Sequence, residues 1–196
     1  MACKMFRIFP ITGWGSDGFP TVGNPVKPCV PASGSKEVVT SSLSVTHTSN
    51  SADLNADDTS EQLFAVTGYD LSVSVYGADA DFLAALGLAT KDAAGNLIFK
   101  TSNDTHVAAF VKGEDQKGKA YEYFFYDLVA RPLDASIQTK VAGQAAEPVQ
   151  INLHGSPIST TSFGDVPFSK VFQGNTGYVA DEPAAADFYK GTVSSQ

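Results

Sequence analysis

The chain has 196 residues, 43% of them apolar, with two cysteines and a formal net charge of −8. That size fits one domain spanning residues 1–196 with room for a core, and no apolar run nears the ~20 residues of a membrane helix. Two cysteines, Cys3 and Cys29, exclude a disulfide framework, and the acidic balance weighs against tight DNA binding.

Met1–Pro10 carries basic residues but no long apolar segment, so no signal peptide is read there and synthesis in a cytoplasm, with reduced thiols, is expected. Phe6 to Ile11 and Val26 to Val30 are expected to pair as edge strands, where proline is tolerated. Residues 12–35, rich in Gly and Pro, read as a loop holding only short regular structure. Glu37 to Thr48 favours strand through Val38, Val39, Val45 and its threonines. Ser49 to Gln62 is polar, acidic and free of aromatics, and reads as a long mobile loop. No Lys or Arg lies between Lys36 and Lys91, and the eight acids from Glu37 to Asp81 equal the whole net charge. A solvated acidic loop explains that excess, and so does a surface kept negative against a polyanion.

Tyr69–Tyr76 is the clearest alternating strand, with Tyr69, Leu71, Val73 and Val75 on one face and Asp70, Ser72, Ser74 and Tyr76 on the other. Asp79 is placed to cap a short helix with the stripe Phe82, Leu83, Leu86, stopped at Gly87. A strand at Asn96 to Lys100 follows, then a hairpin whose arms are Thr105–Lys112 and Lys119–Arg131. The second arm is apolar on both faces, which places it near the sheet centre or under a cover. Ile137 to Val141 and Val149 to Leu153 alternate again, with Gln138, Gln150, Asn152 and His154 on the polar side. The extension 163–196 is irregular, and its scattered aromatics fit either a partner-docking arm or a strap over the chain's own core.

Chemical motifs are weak. Gly113–Ala120 approaches a phosphate-binding loop, but Ala120 replaces the required hydroxyl, a strand follows instead of a helix, and Glu114 and Asp115 would repel phosphate. Asp53–Asp57 imitates the start of a calcium loop, yet Asp58 and Phe64 stand where Gly and Glu are needed. His47, His106 and His154 lie far apart, none beside a nucleophile or a second ligand in sequence. No catalytic residue, metal ligand or cofactor site is read from the chain, and an enzyme is not expected.

The succession is nonetheless specific: Ala52-Asp-Leu-Asn-Ala-Asp-Asp58, an alternating strand, a short helix ending Leu86-Gly-Leu88, and a turn with Gly95-Asn-Leu-Ile98. Then come Thr105-His-Val-Ala-Ala-Phe-Val111, a turn at Gly118-Lys119, the aromatic strand, and an amphipathic strand pair through Gln138 and Glu147. Over about residues 50–160 this resembles the major tail proteins of long, non-contractile phage tails, of the phi13 type. The resemblance implies a mainly β fold, a β-sandwich or rolled β-barrel with one flanking α-helix. It implies a structural virion protein without cofactor or catalysis, made in the host cytoplasm. Six copies would close into a ring, and rings would stack into a tube that conducts DNA during ejection. The partners implied are further copies of the chain, the tape measure, tail terminator and distal tail proteins, and DNA in transit, with no membrane.

Closing sheets from several subunits around an axis removes exposed strand edges and leaves one wet face. On that reading Asp70, Ser72, Ser74, Gln138 and Asn152 are the lumen-lining candidates, and an acidic wall keeps DNA phosphates from sticking. The acidic segment supplies the inter-ring contact candidates Asp53, Asn55, Asp57 and Asp58. The alternative is a stand-alone β-sandwich binding module for carbohydrate or a cell surface, with Trp14 and Phe19 stacking on sugars.

Overall fold

A computed structural model of the chain describes residues 2–28, 39–56, 59–75, 78–133 and 149–191. The fold is mainly β with one short helix. Seven strands form the main path: β1 (Ala2–Trp14), β2 (Pro20–Val22), β3 (Val39–Ala56), β4 (Thr59–Val75), and, after the helix, β7 (His106–Glu114), β8 (Ala120–Ala130) and β9 (Val149–Gly155). Helix α1 (Ala80–Ala85) and the hairpin of β5 (Ala89–Lys91) and β6 (Leu97–Phe99) lie between β4 and β7. Strands β10 (Ile158–Thr160), β11 (Gly164–Val166) and β12 (Phe168–Phe172) follow β9. The sheet order is β2-β1-β7-β8-β9-β4-β3, with β12 added on β8. Pairing is antiparallel throughout, and the sheet curls until β3 touches β1.

The inner face of the curl is the principal core. Phe6 and Ile8 of β1, Val107 and Ala109 of β7, Phe125 and Leu128 of β8, Ile151 and Leu153 of β9, and Tyr69, Leu71 and Val73 of β4 all point into it. Burying such side chains contributes about 1.5–3 kcal/mol each, which is why period-2 alternation fixes the register so firmly. Helix α1 closes the core with Phe82, Leu83 and Leu86. It ends in a Schellman pair, Leu88 N–H to Leu83 O and Gly87 N–H to Ala84 O, with Gly87 at φ 74°. A side chain at Gly87 would also strike Asn103 and Thr105. Asp79 occupies the N-cap position without a side-chain capping bond.

Three expectations change. Ser49 to Gln62 is not a loop in its described part: residues 49–56 and 59–62 are the outer arms of β3 and β4, paired from Ser49 opposite Val66 to Ala56 opposite Thr59. Strand β1 is not an edge, because β7 pairs along it from Ala2 to Pro10 and β2 pairs beyond. Its expected partner Val26 contributes a single bridge to Ile8. The tail is a strap over the chain's own core: Phe188 is buried against Phe9, Phe124 and Tyr126. The candidate strand Ile137–Val141, with Gln138, lies outside the described residues, as do Asp57 and Asp58.

Candidate functional site

The outer face of the sheet changes character along β8. Between the pairs Val107–Leu128 and Ala109–Phe125 the β7–β8 register slips, so Tyr126 and Asp127 together oppose Ala108. Such a bulge re-aims side chains. Before it, Glu122, Phe124 and Tyr126 lie under the strap; after it, Val129 is half-buried and Arg131 is exposed.

On the covered half, ions fasten the strap. The buried Arg7 guanidinium grips both carboxylate oxygens of Glu182, while Lys27 Nζ lies 3.4 Å from Glu182. The hydrogen bonds from Arg7 hold the Glu182 carboxyl below the usual glutamate range. Lys112 Nζ donates to the carbonyls of Val179 (2.6 Å) and Ala180 (2.7 Å). Glu122 accepts from Val179 N–H at 2.9 Å, and burial pushes its carboxyl up. Tyr126 donates to Ser169 Oγ, and burial raises its phenol to about 12.

The open half is polar from strand to strand. On β4, Asp70 stands between His154 of β9 and Thr46 of β3, and Ser72 stands between Asn152 and Ser44. Ser74 faces Gln150. Ser72 Oγ donates to Asn152 Oδ1 at 2.7 Å, and Gln150 Nε2 reaches the same oxygen at 3.4 Å. Asp70 Oδ1 accepts from Arg131 Nη2 at 2.9 Å and lies 3.0 Å from His154 Nδ1. Asp127 Oδ1 lies 2.5 Å from His106 Nδ1. Gly155 lets this layer close: a Cβ there would sit 2.2 Å from the Tyr69 ring.

Four of the lumen-lining candidates, Asp70, Ser72, Ser74 and Asn152, therefore share one exposed or half-exposed surface. The expected acidic wall needs amending, because Asp70 is tied to Arg131 and His154 rather than standing as a free charge. Arg131, Asp127 and His106 were not anticipated here; they sit at the end of an arm that reads as apolar, and only the bulge turns it outward. Among the described residues, no three His, Cys, Asp or Glu side chains gather as a metal site.

Beyond Tyr69, β4 parts from β9 and pairs with β3 alone. The register slips again where Thr48 faces Gly68 and Ser49 faces Val66, and Thr67 Oγ1 bonds Thr48 O across the bulge. The result is a two-stranded arm of about ten residues a side, roughly 30 Å long. Two inter-ring candidates fall on it, Asp53 opposite Gln62 and Asn55 opposite Ser60. Of the sugar-stacking pair, Trp14 is 51% exposed, whereas Phe19 is buried edge-on against Tyr126.

No family model, curated protein or solved structure matches the chain. Among the described residues, no helix is long and apolar enough to cross a membrane.

Proposed function

We propose that this chain is the structural subunit of a phage tail tube. Copies close into hexameric rings, rings stack, and the open face of β3, β4 and β9 lines the bore through which DNA passes. The observation that carries the reading is the division of the sheet's outer surface. One half is sealed by the chain's own strap, and the other is left wet beside an arm that pairs only with itself.

A bore for DNA must be hydrated without gripping phosphate. Each lysine or arginine that neutralises a phosphate adds counterion-release affinity and would brake the strand. Serine, glutamine and asparagine supply hydration here, and the one arginine of the face is engaged by Asp70. A two-stranded arm is marginal alone, so its open edges favour assembly with further copies. The tape measure, tail terminator and distal tail proteins are the further partners of this reading.

Electron microscopy of purified protein tests it: rings or rods are expected. The competing module would stay monomeric and bind glycans through Trp14, and that outcome would replace the tube.

A further inference from the structure

The most exposed apolar pair in the described chain lies on the smallest sheet. Ile98 is 60% and Phe99 58% exposed on β6, which pairs only with β5. Lys100 follows, exposed and without an ion-pair partner among the described residues. Two adjacent large side chains left in water on a marginal hairpin mark a contact surface.

The position of this hairpin decides what fits it. Asn103 Nδ2 bonds both Leu86 O and Ala130 O, and Lys100 N–H bonds Leu88 O, so β5 and β6 spring from the end of the sheet where β8 finishes. Strands β4 and β8 run the same way on either side of β9. The β3–β4 arm therefore points to the opposite end, where β8 begins. Its described positions include Asp53 and Glu61, in a stretch from residue 37 to 90 that holds no Lys or Arg. The pairing also sets Leu54 opposite Glu61 and Ala52 opposite Leu63, which mixes acid with apolar positions.

We infer that the β5–β6 hairpin, through Ile98, Phe99 and Lys100, is the seat for the β3–β4 arm of a second copy stacked end to end. Seat and arm are different surfaces at opposite ends, so the contact is head-to-tail and repeats without closing, which gives the stack a polarity. The lysine meets the arm's carboxylates, and the apolar pair meets its leucines. This rests on the tube reading.

The test pairs a variant with a chemical readout on the natural chain. In Ile98→Ser/Phe99→Ser the fold should persist by circular dichroism while rods give way to single rings, the rod fraction falling about tenfold or more. Carbodiimide coupling of a mixture of ordinary and 15N-labelled protein should yield intermolecular links from Lys100 to Asp53 or Glu61. Rods of ordinary length from the double variant, with no such link, would overturn the seat and leave the tube standing. Should the natural chain form no rods, the tube falls. The links in concentrated protein then decide the seat alone, their presence supporting the contact and their absence ending it.

Discussion

Replacing Phe188 by Ala removes the wedge that joins the strap to the sheet. Its ring is 3% exposed and meets Phe9, Phe124 and Tyr126 edge-on, with centroids 5.1, 5.4 and 6.0 Å away. A buried Phe→Ala change costs about 3–5 kcal/mol, and each edge-on ring pair contributes about 0.5–1.5 kcal/mol of such a loss. A cost near 4 kcal/mol follows, or a fall in Tm of roughly 8–16 °C for a domain of this size. Urea unfolding followed by circular dichroism reads it, and the midpoint should drop with little change in slope. Ile98→Ala, at a side chain 60% exposed, serves as control and should shift stability by no more than about 0.5 kcal/mol. A cost below about 1 kcal/mol for Phe188→Ala would refute the strap as part of the folded core and make it an arm for a partner.

Gly155→Ala forces a methyl into the Tyr69 ring and should destabilise by about 1–3 kcal/mol in the same assay. Glu182 is depressed in the folded state, so its contribution is present above the usual glutamate range and fades as pH falls through its lowered value; the stability gap between the natural chain and Glu182→Gln should close in that window. Glu122, raised by burial, works in the opposite sense and costs stability as pH rises from the usual range through its folded value. Asp70→Asn leaves Arg131, 59% exposed, without its carboxylate; if the face lines the bore, DNA ejection should slow and grow more salt-dependent, and unchanged ejection would count against it. Amides of 50–56 and 59–66 should exchange faster than those of β8 in the free subunit and gain protection on assembly, as hydrogen exchange would show.

What the sequence made legible follows the core. Strands β4 and β9 declare themselves because Leu71, Val73, Ile151 and Leu153 must all face inward, and α1 because Gly87 can end it left-handed. The arm was misread for the complementary reason. Its serines, threonines and acids face no core, and the partner that makes it a strand is the other arm rather than an apolar surface. Its β character comes from cross-strand pairing, which no periodicity records. The ion pairs were equally hidden: Arg7 meets Glu182 from 175 residues away, and Arg131 meets Asp70 from 61. The lumen-lining candidates on β4 and β9 were legible as one polar face, but not the cation that partners Asp70, since Arg131 reaches that face only past the bulge at Tyr126–Asp127.

Cryo-electron microscopy of the assembled protein tests the central claim most directly. The account predicts a hollow stack of six-membered rings with Asp70, Ser72, Ser74 and Asn152 around the water-filled bore. A tube with that surface on its outside or packed between subunits would contradict the account, as would a protein that stays monomeric at every concentration.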